Sequence, residues 1–307
     1  MDAGLVAAQL LNGLQLGVLL FLLASGLTLI FGIMDFVNLA HGSLYMVGAY
    51  FCAELTDATG SFLLAVALAL PATALVGAAV ELLVVRRLYR RDHLDHVLAT
   101  FGLILCFDAL VQILWGPEGM AIRLPAWADG QQHLPGGLVF PTYRLLIIGA
   151  GLAVAAGLYV LVVKTKLGMR IRAGASNPAM AGALGIDIGL LFTLVFALGA
   201  VMAGLAGMMI APITEASIGM GNEIIITAFV VVIVGGIGSI RGAFVAALLI
   251  GTIDTMGRSF LDMGLKLLMS AQAAETSAPA LSAMLIYILM ASVLAFRPQG
   301  LFPPKSR

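Results

Sequence analysis

A series of apolar runs, each near the length of a bilayer crossing, constrains this chain more than any other feature, and the first run is broken in an unusual way. A helix needs roughly 20 predominantly apolar residues to cross the hydrocarbon core. Within residues 26–50, GLTLIFGIMDFVNLAHGSLYMVGAY, the run is interrupted by Asp35, Asn38 and His41. It then resumes through Gly42, Ser43, Gly48 and Ala49. Charged side chains inside such a segment cost roughly 2.5–3.5 kcal/mol on insertion scales, so polar groups there face a protein interior or a water-filled path.

The other runs dictate the class. Only 10% of the 307 residues are charged and 61% are hydrophobic, against about 25% charged in a soluble domain. Mean hydropathy is +1.08. The strands of alternating polarity that a membrane barrel needs are absent, which leaves an all-α polytopic membrane protein. Nine segments qualify as candidate spans: residues 5–31, 40–55, 61–85, 97–115, 143–163, 188–212, 223–240, 242–257 and 278–296. The second and seventh are short and Gly-interrupted, so the expectation is eight or nine crossings, some broken or re-entrant, in one transmembrane domain covering residues 1–307. The N-terminal MDAGLVAAQLL lacks a basic region, so the first run reads as a retained span rather than a cleaved signal.

Lys and Arg gather on the cytoplasmic side of membrane proteins. Arg86, Arg87, Arg90 and Arg91 follow the third span, and Lys164, Lys166, Arg170 and Arg172 the fifth. Arg241 follows the seventh, and Arg297, Lys305 and Arg307 the last, which puts 12 of 16 basic residues on one side. This predicts an extracytoplasmic N-terminus and a cytoplasmic C-terminus. On the outer side, residues 116–141 carry Pro, Gly and the aromatics expected of interfacial anchors, with Trp115, Trp127 and Tyr143 in or beside them. Residues 259–277 predict an amphipathic helix on the membrane surface.

Several groups are candidates for chemistry. Residues 164–187, KTKLGMRIRAGASNPAMAGALGID, are too polar to span. Ser176 or Asn177 supplies an N-cap, Pro178 fits the first turn, and Gly185 closes a short helix through Met180 and Leu184, which reads as an ordinary loop or as a docking helix for a cytoplasmic partner. GAVMAGLAG, residues 199–207, sets small residues at helix-packing spacing. Asp108 and Gln112 share a helix face, Asp254 and Arg258 have the spacing of an intrahelical pair, and Glu81 is within reach of Arg86 or Arg87. Cys52 and Cys106 read as small buried hydrophobes. His93 and His96 lack a second ligand cluster, so no metal is expected, and no cofactor site is evident. There is no G-x-x-x-x-G-K-[ST] phosphate loop and no nucleophile–base pair. A zero net charge gives no case for nucleic acid.

NLAHGSLYMVGAY (38–50), GMRIRAGASNPAMAGALGID (168–187), VVVIVGGIGSIRGAFVAALLIG (230–251) and FRPQGLF (296–302) together resemble the inner-membrane permease subunits of bacterial branched-chain amino acid ABC importers. The resemblance implies a second homologous permease, two cytoplasmic ATPase subunits and a periplasmic substrate-binding protein, with transport by alternating access. It implies that Arg170, Arg172, Asn177, Pro178, Met180, Leu184 and Gly185 couple to the ATPase. It also places Asn38, His41, Gly42, Ser43 and Gly48, with Gly235, Gly236, Gly238 and Ser239 of the second half, on the translocation path or its gate. Arg241 departs from the pattern, where Pro is expected. Relatives of this kind also carry urea or short amides. The competing expectation from the residues alone is a stand-alone ion-coupled transporter using Asp35 or Asp108.

Overall fold

The computed structural model describes residues 3–135 and 137–302. Among them are eleven α-helices: α1 (Ala3–Met34), α2 (His41–Thr59), α3 (Phe62–Leu83), α4 (His93–Trp115), α5 (Thr142–Lys164), α6 (Lys166–Ser176), α7 (Pro178–Ala183), α8 (Ile188–Thr214), α9 (Met220–Gly235), α10 (Ile240–Leu265) and α11 (Ala271–Phe296). A helix coincides with each of the nine expected spans. Seven are long and apolar enough to cross a membrane, while α9 is a shorter apolar helix and α2, with Glu54 and Asp57 in its last turns, falls outside that set. Met1, Asp2, Lys305 and Arg307 lie outside the described residues.

α1 is the hub. Its apolar window is 83% buried, whereas that of α11 is 11% buried, because α1 packs along α8 on one flank and α10 on the other. Leu22, Leu23, Leu27 and Ile30 of α1 share the core with Phe196, Ala200 and Ala203 of α8 and with Ala243, Ala247 and Ile250 of α10. Lipid is as apolar as leucine, so burial of apolar surface does not choose this centre; close packing of small residues does. The small stripe at 199–207 performs this packing against α1, α2 and α3, with Gly199 on Ile30, Gly204 on Thr73 and Gly207 on the Tyr45 carbonyl. The outward faces of α3, α4, α5 and α11 remain uncovered.

Three local expectations are corrected. Residues 259–277 form no surface helix: α10 continues to Leu265, α11 starts at Ala271, and Lys266 joins them through Asp262 (2.9 Å) and Glu275 (3.0 Å). The Asp262–Lys266 pair is spaced four apart and so favours one more turn of α10. Cys52 is buried but Cys106 is exposed, since it sits on the uncovered face of α4. Of the three anchors, Trp127 is exposed, but Tyr143 is buried with its hydroxyl donating to the Met209 carbonyl at 2.7 Å, and Trp115 donates to Glu54 at 3.2 Å. The intervening segment is folded as an antiparallel hairpin, β1 (Gln131–Leu134) with β2 (Leu138–Pro141), and pairs Met120 with Ala216.

Candidate functional site

At one end of the bundle, residues 164–187 form two helices rather than the single one expected. Thr165 caps α6, its hydroxyl accepting from the Gly168 amide at 3.1 Å. Ile171 and Gly174 of α6 are buried, with Gly174 against Leu191 of α8 and Ile33 of α1. The spacing of Leu167, Ile171 and Ala175 was the signal for this helix. Asn177 then caps α7, its Oδ1 accepting from the Met180 amide at 2.9 Å, with Pro178 in the first turn. α7 ends in a paired C-terminal closure: the Ile186 amide donates to the Ala181 carbonyl (3.1 Å) and Gly185 to Gly182 (3.0 Å), with Gly185 at φ +87°. That conformation favours glycine. Both ends fixed, α7 buries only Ala181 and leaves Met180 58% and Leu184 77% exposed. Arg170 and Arg172 are exposed beside it, and Arg172 also donates to the Val162 carbonyl.

This surface is tied to the bundle by a carboxylate. Glu81, fully buried near the end of α3, accepts from Arg86 Nε (3.1 Å), Tyr89 Oη (2.5 Å) and Thr193 Oγ1 (2.7 Å). Arg86 in turn donates to Thr193 and to the Gly189 carbonyl in the first turn of α8, four residues beyond Gly185. Burial, reinforced by Glu81, drives the Tyr89 phenol far above its ordinary pKa, so it stays a donor. A buried carboxylate is tolerated only when paired in this way.

The two polar breaks behave differently from an open path. His41 Nε2 donates to the Leu23 carbonyl (3.1 Å), about three turns back along α1 from its end at Met34. Residues 35–40 therefore fold back into the bundle, with Phe36, Asn38 and Ala40 buried while Asp35 remains exposed. Irregular backbone at membrane depth is tolerated where protein covers it. Asn38, His41 and Ser43 are all at most 1% exposed, and both amide atoms of Asn38 and the Ser43 hydroxyl lack a hydrogen-bond partner among the described residues. A side chain at Gly42 would strike the Gly221 carbonyl of α9, and one at Gly48 would strike Gly204 of α8.

In the second break, Gly236 (φ +105°) and Gly238 (φ +81°) turn the chain, and Ser239 caps α10 by accepting from the Gly242 amide at 3.1 Å. The tail closes it. Leu301 and Phe302 amides donate to the Val234 and Gly235 carbonyls at 2.8 and 3.1 Å, satisfying the last turn of α9. The two breaks also meet: a Cβ added at Gly32 would lie 2.7 Å from the Gly238 Cα. Arg241 does not distort the start of α10; its guanidinium lies 5.4 Å over the Tyr159 ring and donates to the Tyr159 hydroxyl at 3.3 Å.

The remaining charged candidates are spoken for. Asp108 accepts from the Asn222 amide group at 3.1 Å, and Arg258 Nε meets both oxygens of Asp254, at 3.1 and 3.0 Å. His96 binds the Leu88 carbonyl at 3.0 Å and stacks on Phe36 at 4.4 Å.

A bundle of apolar helices with two broken segments and a capped helix displayed at one end defines a polytopic membrane protein. More narrowly, residues 9–294 match the family described as the permease component of branched-chain amino acid transport systems, and the chain belongs to it. It is 30% identical to the high-affinity branched-chain amino acid transport system permease protein BraD of Pseudomonas aeruginosa, over 81% of this chain and 85% of that one. It is 28% identical to LivH of Escherichia coli K12, over 82% and 86%. A probable branched-chain amino acid transport permease, LivH of Methanocaldococcus jannaschii, is 31% identical over 78% and 76%. No solved structure matches the chain. The chain is thus a multi-pass permease subunit of the bacterial inner membrane, a transport component rather than an enzyme.

Proposed function

We propose that this subunit passes branched-chain or related small amino acids into the cytoplasm as part of an ATP-binding-cassette importer. A second homologous permease, two cytoplasmic ATPase subunits and a periplasmic binding protein complete the machine, and ATP use by the partners drives alternating access. The orientation that supports this puts the N-terminus outside and the α6–α7 surface in the cytoplasm. The observation that carries the reading is α7 itself: a helix capped at both ends that buries only Ala181 and presents Met180 and Leu184 outward leaves its apolar side chains free for a partner. Arg170, Arg172, Asn177, Pro178 and Gly185 shape and flank that surface.

The broken segments form the gate rather than an open pore. Asn38, His41, Gly42, Ser43 and Gly48 seal α2 against α1, α8 and α9. Gly235, Gly236, Gly238 and Ser239 give the second half a hinge that touches the first at Gly32. A stand-alone ion-coupled transporter gains little support, because Asp108 is bonded to Asn222 and Asp35 sits at the exposed end of α1. That the relatives are branched-chain amino acid permeases favours this cargo over urea or short amides.

The coupling assignment is tested by joint replacement Met180→Asp and Leu184→Asp. The expected outcome is loss of ATPase co-purification with membrane insertion unchanged; unaltered co-purification refutes the assignment.

A further inference from the structure

At the end of the bundle away from α7, where α8 has run some 20 residues and roughly 30 Å, a cavity of about 430 Å³ opens between α1, α2, α8, α9, α10 and α11. This is within the roughly 300–1,000 Å³ typical of small-molecule sites. Its walls divide by chemistry. Leu20, Ile210, Ile224 and Ile286 supply an aliphatic side, and Ser217 and Thr227 supply hydroxyls. The charged groups are Glu223 and the Asp254–Arg258 pair.

Glu223 stands in the first turn of α9, where the helix dipole favours an anion, yet among the described residues it forms no ion pair. A carboxylate at the start of an apolar helix demands water or a counter-charge. Arg258 is complementary. Its Nε is occupied by Asp254, while its two terminal nitrogens make no hydrogen bond to the described residues. A guanidinium so held still offers a donor edge to a carboxylate. The same Asp254–Arg258 pair also lines a neighbouring cavity of about 340 Å³, with Gln9, Asn12, Gln15 and Arg144 on its polar wall. Arg144 is fixed there by Asn12 at 2.7 Å.

We propose that the larger cavity is a binding station for an aliphatic amino-acid zwitterion, in which Glu223 takes the ammonium, Arg258 the carboxylate, and the aliphatic wall the side chain. The neighbouring polar cavity is its entrance, with the Asp254–Arg258 pair between the two. The station rests on the importer reading and adds to it the residues that touch the cargo. Both cavities sit far from the coupling surface, so a change at Glu223 reaches transport without disturbing ATPase docking.

The test uses the whole importer in proteoliposomes, with ATP inside and saturating leucine-loaded binding protein outside. Glu223→Gln keeps the shape and removes the charge. The expected result is at least tenfold slower leucine uptake, with binding-protein-stimulated ATP hydrolysis within twofold of wild type. Arg258→Gln is expected to do the same, and Arg258→Lys to recover part of the uptake. Uptake by Glu223→Gln within twofold of wild type overturns the station while leaving the importer reading intact. Parallel loss of uptake and ATP hydrolysis in a complex that still assembles also overturns it, because that pattern marks a structural role. Absence of ATP-dependent uptake by the wild-type importer overturns both.

Discussion

At the scale of single residues, the buried charged groups of this chain are paired inside the protein, while the polar break keeps Asn38 and Ser43 buried without a hydrogen-bond partner among the described residues. Glu81 is the clearest case of pairing, since one buried carboxylate serves Arg86 and Tyr89 of the α3–α4 connection and Thr193 of α8. Glu81→Ala would strand the Tyr89 hydroxyl, while Thr193 keeps the Gly189 carbonyl at 3.0 Å and half-exposed Arg86 finds water. The expected cost is roughly 2–3 kcal/mol, read as a lowered unfolding temperature of the detergent-purified protein, with a smaller loss for Glu81→Gln. His41 is different in kind: its ring fills the space left by Gly26, where a Cβ would come within 2.9 Å of it. A histidine so enclosed is part of the seam that must loosen if α2 moves.

At the scale of elements, the termini of helices decide more than their interiors. α7 is only six residues long, too short to persist by itself in water, so its shape depends on the Asn177 cap, Pro178 and the Gly185 closure. The end of α9 depends on the tail. Gly300, at φ +82°, sits against the backbone of Gly236, with an added Cβ at 2.6 Å from it. Gly300→Val therefore imposes a left-handed penalty of about 1–2 kcal/mol and a backbone clash together. Its expected signature is faster hydrogen exchange at the Leu301 and Phe302 amides, while those of α1 keep their protection.

At the scale of the whole molecule, α1 with α8 and α10 forms a buried core, and the poorly buried α3, α4, α5 and α11 form its outer wall. The charge distribution predicts an orientation with α6 and α7 inside and the β1–β2 hairpin outside. In a background carrying Cys52→Ala and Cys106→Ala, Asp129→Cys beside the hairpin is expected to react with a membrane-impermeant maleimide in spheroplasts. Ser176→Cys is expected to react only after the membrane is opened. The opposite pattern inverts the topology and removes α7 from the cytoplasm.

The sequence by itself determined the membrane class, the nine helical segments and the α7 caps, because span length, apolar composition and capping are properties of contiguous residues. It also located both breaks and the Asp254–Arg258 pair, four residues apart, and narrowed the partner of Glu81 to Arg86 or Arg87, of which the structure selects Arg86. α6 escaped because its apolar positions are few and its charges many. Only the tertiary structure decided that α1 is central, since seven apolar helices look alike until small residues choose which of them approach. It alone brought Gly32 to Gly238, laid the tail across the end of α9, and gathered Glu223 and Arg258 from different helices around one cavity. Those meetings join residues far apart in the chain, and no local pattern encodes them.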